Sequence, residues 1–522
     1  MTAAVDRLLR AIEQKEPILL YGDYDADGTS SVVILMKGLQ LAGGQASFHV
    51  PHRLRDGYGM RSEVVEDASA SGVKLIISVD TGIRANAVVR HASTLGIDVI
   101  VTDHHLPESE LPPAVAVLNP NRPDCTYPEK NLCGAGVALK LVDALMLRLG
   151  WEPFRRERLI DSLLKLVAIA TVADVVPLTG ENRVIVKRGL DGLRQVANPG
   201  LRALLDVSGF NAGDSPSASQ VAFRVAPRIN AAGRMASATD VIEMFLTGDA
   251  AHARELAGKL HDLNTDRQQT EAEITRAIFE QCIALPVTDS DAALVFAGEG
   301  WHRGVVGIVA SRVVERFHRP AFVLGIGDGV AQGSGRSIPA FHLLEALESM
   351  PDLFAKFGGH RQAAGVTMDA AMVETFRERM RSYAAERLTT EDFVRELAID
   401  GEIGIEEIDD PTVADILRLA PFGFGNPAPM FVARGVEVAA APEIRNEKHL
   451  FLRLRANGCT LRMKAWDFAK RIDELQPGAL IDVVFTFEDD PYSASRGYAP
   501  WQAVLKDVRA SGFRSLAVTA RP

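Results

Sequence analysis

Cysteine is scarce in this sequence, and long uninterrupted apolar runs are missing. Four cysteines stand among 522 residues, and no two of them form a Cys-x-x-Cys pair: Cys125, Cys133, Cys282 and Cys459. That spacing argues against a zinc finger and is typical of reduced thiols in the cytoplasm. The longest apolar candidate, 163–176, is interrupted by Lys165 and Asp174. Residues 1–16 resemble a charged amphipathic helix rather than a signal peptide. We therefore expect a cytoplasmic protein with no membrane segment.

Positive charge is also in short supply. The chain has 57 Lys and Arg against 68 Asp and Glu, a net charge of −11, which argues against a nucleic-acid partner. The excess is uneven, because residues 426–522 contain 14 basic and 11 acidic side chains. A nucleic-acid site would therefore have to be a local groove, with part of the acidic excess balanced by metal ions.

Apolar runs alternate with helical patterns in the first part of the chain. The runs 18–20, 45–50, 73–79, 97–102 and 114–118 are separated by helical patterns such as 31–42 and 84–95. This βαβ rhythm predicts an α/β fold with a mostly parallel sheet, whose ligands lie at the carboxyl ends of the strands.

The rest of the chain divides into three further parts. Residues 249–284 form a long helical pattern with Asp249 as N-cap and a polar middle, so we expect a connector exposed on both sides. A second, smaller, glycine-rich α/β unit follows, and five short strands after 426 favour an OB-like β-barrel. The predicted division is 1–248, 249–285, 286–390 and 391–522.

Three acids follow the first strand closely. The stretch Asp23-Tyr-Asp-Ala-Asp-Gly28 comes after the apolar run 18–20. If the chain stays extended there, Asp23, Asp25 and Asp27 point to one face. Such a cluster is tolerated when a divalent cation neutralises it, and hard oxygen ligands suit Mg²⁺ or Mn²⁺. The alternative is an acidic turn that caps the next helix.

Further acids and histidines are expected where later elements of the sheet end. Asp80 closes the strand 73–79, His104 and His105 follow the next strand, and Asp174 ends the run 163–173. In a parallel sheet these ends converge, so Asp25, Asp27, Asp80, His104 and Asp174 can meet. One carboxylate between two ions could bridge them at about 3.5–4 Å. Taken singly, Asp80 could be a turn residue, the His pair a helix start, and Asp174 a cap before Pro177.

These motifs in order resemble the DHH phosphoesterase superfamily, and most closely its bacterial branch of single-strand-specific exonucleases. The resemblance rests on Asp-Tyr-Asp-Ala-Asp-Gly, Asp-Thr-Gly, Asp-His-His and Ala-Asp-Val-Val-Pro. Later stretches extend it through most of the chain: 227–235, 301–312, 335–337, 358–360 and 421–427.

The resemblance implies a site and an activity. Asp25, Asp27, Asp80, His104 and Asp174 would ligate two Mn²⁺ or Mg²⁺ ions, with Asp80 bridging. His105 would face the scissile phosphate, and Asp23 matches the motif beside it. The implied reaction is 5′→3′ hydrolysis of single-stranded DNA to nucleoside 5′-monophosphates in recombination and repair. The implied protein partners are a single-strand-binding protein and a RecQ-type helicase.

A donor-rich wall is expected to hold the phosphates. Ser334 and Arg336 stand in a predicted glycine-rich turn. A similar glycine-containing loop is predicted for Arg228, Asn230 and Arg234. The complete set is Arg228, Asn230, Arg234, His302, Arg303, Ser334, Arg336 and His360. The alternative for the arginines is solvated surface charge.

The predicted barrel interleaves aromatic and basic residues, as single-strand-binding barrels do. The aromatics are Phe451, Trp466, Phe485, Phe487, Tyr498 and Trp501, and the cations are Arg453, Arg455, Arg462, Lys464 and Arg496. Alternation within strands places Phe451, Phe485 and Phe487 in the core and turns the basic residues towards DNA.

Two departures and two alternative functions accompany the resemblance. Family members usually have some tens of residues before the first motif strand, whereas one helix precedes it here. We expect either that this sequence starts later than the full protein, or that this member dispenses with a segment that braces the catalytic domain. Tyr21 stands where the pyrophosphatase branch has a metal-binding histidine, which disfavours that branch. A phosphodiesterase for oligoribonucleotides or cyclic dinucleotides would lack the barrel, and a non-catalytic single-strand-binding scaffold would lack the motif acids.

Overall fold

The computed structural model describes residues 1–53, 55–57, 59–288 and 290–512. The chain forms two compact units, Met1–Arg395 and Glu396–Pro522. Within the described ranges, no helix has the length and apolar character needed to cross a membrane. The finer domain boundaries after 248, 285 and 390 stay a prediction.

The first unit begins with a parallel five-stranded sheet, as the βαβ rhythm predicted. The strands run in the order β2-β1-β3-β4-β5, and every neighbouring pair is parallel. Their bounds are β1 (Pro17–Tyr21), β2 (Gln45–His49), β3 (Leu75–Val79), β4 (Asp98–Thr102) and β5 (Ala116–Leu118). Loops that follow β1, β3 and β4 therefore leave the sheet at one edge.

Helices cover both faces of this sheet. The helices up to the second sheet are α1 (Thr2–Glu13), α2 (Ala26–Leu41), α3 (Ser62–Ala70), α4 (Asn86–Thr94), α5 (Gly134–Arg148), α6 (Pro153–Ala173), α7 (Gly180–Gly192), α8 (Pro199–Val207), α9 (Ala218–Gln220), α10 (Ala226–Met235), α11 (Thr239–Leu246) and α12 (Ala250–Ala284). Strand residues alternate between the faces: Leu20 and Ile77 join the core under α2 and α5, whereas Leu19 and Ile76 join the core under α3 and α4.

The connector helix α12 is 35 residues long and starts at the predicted N-cap, Asp249. The expectation that its polar middle is exposed on both sides is wrong. Asn264 and Arg267 are buried on the same stripe as Leu260 and Ile274, because their spacing follows the helical period. This stripe packs against α8, α10 and α11 and then against the helix Val306–Phe317.

The second sheet is mixed and sits in the same unit. Its order is β6-β7-β8-β10-β9, with β6 and β7 parallel and the other pairs antiparallel. Its elements are β6 (Leu294–Glu299), α13 (Val306–Phe317), β7 (Ala321–Gly327), β8 (Val330–Arg336), α14 (Leu343–Glu348), β9 (Lys356–Gly359), β10 (Ala363–Asp369) and α15 (Val373–Ala385). Val323 faces α13 and α12, whereas Phe322 packs edge-on against Phe376 of α15.

The second unit contains the predicted five-stranded barrel. Its elements are β11 (Gly401–Glu402), α16 (Asp410–Leu417), β12 (Phe431–Val438), β13 (Glu443–Arg445), β14 (His449–Ala456), β15 (Cys459–Ala465), β16 (Leu480–Asp489), α17 (Pro491–Ala494) and β17 (Trp501–Ala510). Pairing between β12 and β14 closes the order β12-β16-β17-β15-β14.

Phe485 and Phe487 lie in the barrel core as predicted, but the prediction for Phe451 is wrong. Leu450, Leu452 and Leu454 fill the interior from β14. Side chains alternate along a strand, so Phe451 lies on the outer face, half-buried.

Candidate metal centre

Acidic and imidazole side chains converge where β1, β3 and β4 end. Among the described residues, three groups offer ligand atoms that all lie within 4.8 Å of one another. The groups are Asp80, His104 and His105; Asp27, His104 and Asp174; and Asp23, Asp25 and Asp80. The structure thus brings together all seven residues that the sequence analysis placed here, and Asp80 belongs to two of the groups.

The first motif is a helix start rather than an extended segment. Asp25 is the N-cap of α2, and its carboxylate accepts hydrogen bonds from the amides of Asp27 and Gly28, both 2.9 Å long. Asp27 lies in the first turn of α2. The expectation of extended chain through Asp27 is therefore wrong, because the capping interaction starts the helix two residues earlier.

Backbone amides from a distant helix hold the Asp27 carboxylate. Gly134 N and Ala135 N, at the start of α5, donate to its two oxygens at 2.6 and 2.7 Å. A helix N-terminus favours a negative group at that position. A Cβ on Gly134 would stand 2.7 Å from the Cβ of Asp80. Glycine therefore lets α5 begin directly beside the second carboxylate.

Left-handed backbone conformations occur at Asp80 itself and at the residue directly after Asp174. Asp80 has a φ of +59° immediately after β3, in the left-handed region that few non-glycine residues adopt. Asp174 is the C-cap of α6, and Val175 after it has a φ of +58°. The expectation of a strand end at Asp174 is wrong, since the run 163–173 is the last half of a long helix.

His104 lies among three of these carboxylates. Its Nε2 is 3.1 Å from Asp80 Oδ1, 3.5 Å from Asp174 Oδ2 and 3.7 Å from Asp27 Oδ2. By contrast, the Tyr21 hydroxyl donates to the carbonyl of Gly59 at 3.2 Å. Tyr21 is thus bonded to the loop after β2 and packs in the apolar core under α3 and α4.

Two buried atoms at the centre lack hydrogen bonds. Asp80 Oδ1 and His104 Nε2 are close, yet neither makes a hydrogen bond of acceptable geometry to any residue that the structure describes. Buried polar atoms are nearly always bonded. Two ligands of one octahedral cation, each about 2.1 Å from it, would themselves be about 3 Å apart. Carboxylates with one imidazole fit Mn²⁺ or Mg²⁺.

The electrostatics of the cluster also fit a cation. Burial, followed by the charges of Asp27 and Asp25, raises the pKa of Asp174 to about 9. The same causes raise the pKa of Asp80 well above its usual range. Burial and the charge of Asp25 likewise raise the pKa of Asp23. These acids resist ionising together unless positive charge is added.

Asp103 is a site residue that the sequence analysis quoted in a motif but did not assign. Its buried Oδ1 lies 2.7 Å from His105 Nδ1 and accepts the amide of His104, and its Oδ2 accepts the amide of Ile83. Burial opposes a charge on His105, but the hydrogen bond to Asp103 raises the pKa of His105 to about 9. The sequence did contain a signal for this role, because Asp103 directly precedes a pair of histidines.

A cluster of arginines lies close to the acidic centre. Arg234 belongs to α10 and Arg336 ends β8, so the predicted loop and turn are wrong for these residues. Burial and the charges of Arg53, Arg267 and Arg336 lower the pKa of Arg234 to about 10. Burial and Arg53 also lower the pKa of Arg336. Guanidinium groups that lower each other's pKa form a site suited to an anion.

Arg53 was missed, since nothing in its local sequence distinguishes it from a surface arginine. Its guanidinium carbon stands 5.2 Å from the centroid of the Tyr24 ring, inside the first motif. Ser334 lies on β8, two residues before Arg336, and a Cβ on Gly307 would contact both side chains. The arginine cluster is defined here as Arg53, Arg234 and Arg336 with Ser334.

The other predicted phosphate-binding residues are placed differently. Asn230 Oδ1 accepts the amide of Ala26 at 2.8 Å, which ties α10 to the start of α2. Arg228 bonds to His261 and to the carbonyl of Arg224. His302 accepts the amide of Gly304, and Arg303 is exposed. Burial and the charges of Arg84 and His105 lower the pKa of His360.

The metal-free protein is expected to lose stability as the pH rises from 6.5 to about 9. Native Asp174 keeps its proton up to about 9, whereas the unfolded chain releases it near 3.8. Native His105 likewise holds a proton that the unfolded chain releases near 6.5. Because the native state binds these two protons and the unfolded chain releases them, the free energy of unfolding falls as the pH rises.

Thermal unfolding with a chelator, followed across that pH range, measures the effect. Mn²⁺ should reduce the decline, because the ligand Asp174 binds the cation in its deprotonated form and then no longer retains its proton. A midpoint of unfolding that rises with pH in the chelated protein would contradict this account of the acids.

Comparisons with known proteins cover most of the chain. The family models that match are the DHH family N-terminal domain at residues 17–171, the DHHA1 domain at 290–386 and the RecJ OB domain at 399–502. The single-stranded-DNA-specific exonuclease RecJ of Bacillus subtilis (strain 168) is 40% identical over 490 residues, which are 93% of this chain and 60% of that protein. The RecJ of Dickeya dadantii (strain 3937) is 41% identical over 448 residues, covering 83% of this chain and 78% of that protein.

A solved structure shares the architecture. The crystal structure of RecJ from Thermus thermophilus in complex with Mn²⁺ aligns with a TM-score of 0.82 and 34% identity, covering 99% of this chain and 72% of that chain. The chain thus spans about 60% of the length of the B. subtilis relative and more of the others.

Proposed function

The chain belongs to the RecJ family of single-stranded-DNA-specific exonucleases, and from this membership we propose its reaction in detail. The protein hydrolyses single-stranded DNA from the 5′ end with two bound divalent cations, Mn²⁺ or Mg²⁺, and releases nucleoside 5′-monophosphates. The observation that carries this proposal is the unbonded pair of Asp80 and His104 in an acidic centre beside the arginine cluster.

Five side chains would hold the cations. They are Asp25, Asp27, Asp80, His104 and Asp174. Asp80 would be the carboxylate that both cations share, since it is the one carboxylate among the described residues that belongs to two groups of ligand atoms. When bound, the cations supply Lewis-acid activation of the attacking water and of the phosphate. Asp23 adds a third carboxylate to the group of Asp25 and Asp80.

His105 acts on the phosphate as a proton donor. Asp103 holds the ring through Nδ1, so Nε2 is the nitrogen that presents a proton outward. The raised pKa of His105 keeps the ring protonated at neutral pH. A protonated imidazole can donate to a non-bridging oxygen and stabilise the charge that develops there.

The arginine cluster binds the 5′-terminal phosphate. Arg234, Arg336 and Arg53 supply positive charge, and Ser334 supplies a hydroxyl. Asn230 fixes the distance between this cluster and the metal centre through the amide of Ala26. A terminal phosphate anchored at a fixed distance selects one phosphodiester bond, which accounts for release of single nucleotides.

The outer face of the barrel extends the grip on the strand. Arg453 stands directly opposite Arg462 on β14 and β15, and Phe451 stands opposite Lys464. Like charges in direct register destabilise a sheet unless an anion lies across them. Trp466, 44% exposed, offers a ring for base stacking. We propose that single-stranded DNA crosses this face.

Replacing both Arg453 and Arg462 with alanine is expected to weaken binding of long oligonucleotides and leave a very short one unaffected. Each lost phosphate contact on a single strand reduces the slope of log K against log salt by about 0.7, so the double variant should lose about 1.4. Fluorescence anisotropy across a salt series measures this. Arg418→Ala, an exposed arginine paired with Asp415, is the matched control. An unchanged slope would place the strand elsewhere.

The test of the reaction is digestion of single-stranded oligonucleotides labelled at the 5′ or the 3′ end, with Mn²⁺ and with chelator. Immediate release of labelled mononucleotide from the 5′ end, only with metal, supports the proposal. Cleavage confined to a dinucleotide would assign the protein to the small phosphodiesterases. Binding without cleavage would assign it to non-catalytic scaffolds.

The cellular setting follows the family. We propose a cytoplasmic role in recombination and repair, with a single-strand-binding protein and a RecQ-type helicase as protein partners. Co-purification with each candidate partner tests this part independently of the reaction.

A further inference from the structure

A groove of about 1020 Å³ lies alongside the connector helix, outside the metal centre. Its walls are the end of α6, the π-helical turn Val221–Val225, and parts of α10, α12 and α13. We call it the helix groove. None of the proposed metal ligands lines it, so it is a feature separate from the acidic cluster.

Large hydrophobic side chains stand exposed around the helix groove. Val175 is 62% exposed, Phe223 is 76% exposed and Ile283 is 79% exposed. Single exposed apolar residues are ordinary, but a group of them around one concavity indicates a binding site. Phe223 also offers an aromatic ring on which a planar group can stack.

The charged side chains that line the helix groove are four arginines and two glutamates, Glu271 and Glu280, and this positive excess favours an anionic ligand. Glu271 lies between Arg267 and Arg312 and accepts from both, so its charge is already compensated. Arg276 is exposed, and no ion pair links it to any part of the chain that the structure describes. The Thr275 hydroxyl is buried without a hydrogen-bond partner among the described residues. An aromatic ring, a cation and a hydroxyl are the contacts that a nucleotide requires.

The helix groove adjoins the arginine cluster. Asn230 and Arg234 line it, and the same two side chains belong to the region proposed to hold the 5′-terminal phosphate. Arg234 donates to the carbonyl of Gly304, and so spans the space between α10 and the start of α13. The helix groove is therefore directly beside the arginine cluster, within reach of a group that leaves it.

We propose that the helix groove binds a nucleoside 5′-monophosphate, the product of the reaction, after that product leaves the arginine cluster. This inference rests on the proposed function. The base stacks on Phe223 and the phosphate pairs with Arg276. The volume matches the upper end of small-molecule pockets, about 300–1,000 Å³, rather than a channel for a long strand. The strand end can then advance into the arginine cluster while the product departs on another side.

Binding of deoxyadenosine 5′-monophosphate to the full chain, measured by equilibrium dialysis with a chelator present, tests the proposal. An Arg336→Ala parent weakens the competing site in the arginine cluster. In that parent, Phe223→Ala and Arg276→Ala should each raise the dissociation constant roughly tenfold. Deoxyadenosine, which lacks the phosphate, should bind weakly and respond to Phe223→Ala alone.

Two matched controls isolate the helix groove. Phe154→Ala removes a phenylalanine that is 72% exposed on α6, and Arg254→Ala removes an exposed arginine of α12. Neither residue lines the helix groove, and neither change should alter binding. Equal affinity in the groove variants and their parent overturns the proposal. Binding of an acidic peptide with an apolar end, in place of the nucleotide, also overturns it.

The dialysis involves no turnover, which separates the two proposals. If the protein digests DNA and the groove variants bind the nucleotide normally, only the groove assignment fails. If the protein digests nothing, the proposed reaction fails, and the dialysis still decides whether the helix groove binds the nucleotide.

Discussion

Replacing Asp80 with asparagine is expected to lower kcat/KM for single-stranded DNA at least about a thousandfold. Asparagine keeps the shape of the side chain and tolerates the left-handed backbone that Asp80 adopts. The charge is lost from the one carboxylate that belongs to two of the groups of ligand atoms found among the described residues. Initial rates on a 5′-labelled oligonucleotide, with Mn²⁺ in excess, measure the effect.

The same substitution should stabilise the metal-free protein, increasingly so as pH rises. Burial and the charges of Asp27 and Asp25 raise the pKa of Asp80, so its ionisation destabilises the native state at every pH above its ordinary value. Asparagine removes that penalty. Thermal unfolding with a chelator should therefore show a higher midpoint in the variant, and addition of Mn²⁺ should narrow or reverse the difference.

Asp328 provides a matched control. It is an exposed aspartate with a φ of +51°, and it lies away from every group of potential ligands found among the described residues. Asp328→Asn should leave both the rate and the metal-free stability close to wild type. Full nuclease activity in Asp80→Asn would remove Asp80 from the metal centre.

Replacing Arg336 with alanine is expected to lower kcat/KM about 10²–10³-fold on a strand with a 5′-phosphate, and less on a strand with a 5′-hydroxyl. Arg336 is largely buried beside Arg53, which lowers its pKa and leaves its charge in need of an anion. Loss of one member of a buried, hydrogen-bonded charge pair costs about 2–5 kcal/mol. Rates on the two kinds of 5′ end, compared in parallel, measure the difference.

Two further variants define what Arg336 contributes. Arg336→Lys keeps the charge but lacks the planar guanidinium with its several donors. Its kcat/KM on a strand with a 5′-phosphate should lie between the values of the wild type and the alanine variant. Arg379→Ala removes an exposed arginine that pairs with Asp352 and should behave as wild type. The Mn²⁺-induced rise in thermal stability should be the same in all of them. If Arg336→Ala weakened Mn²⁺ binding, or affected both 5′ ends equally, the residue would not hold the terminal phosphate.

Periodicity accounts for the parts of the fold that the sequence predicted correctly. Apolar runs such as 73–79 and 97–102 have the length of buried parallel strands, and the helices between them leave few other arrangements. The barrel follows in the same way from strands that alternate apolar and polar residues. The long helix was recognisable from its cap at Asp249 and its uninterrupted pattern.

Non-local contacts account for what the sequence did not show. Asp27 is held by amides more than a hundred residues away, at the start of α5, and no local pattern encodes that pairing. The burial of Arg267 depends on neighbouring helices and on its bonds to Asn264 and Glu271. Phe451 is different: Leu450, Leu452 and Leu454 already assign it to the polar face, so its strand phase was available. The convergence of the acids was predicted, and the individual roles within the centre stay predictions.

The connector helix has a mechanical consequence. At 35 residues it is about 50 Å long, and it contains no proline and a single glycine, Gly258, in its first third. Its first half packs against α8, α10 and α11, and its second half packs against α13 and shares a core with the mixed sheet. Such an element works as a strut rather than a hinge. The distance between α10, which carries Arg234, and β8, which carries Arg336, is then set when the protein folds. The space between them has a fixed width, and it does not have to close on each DNA strand.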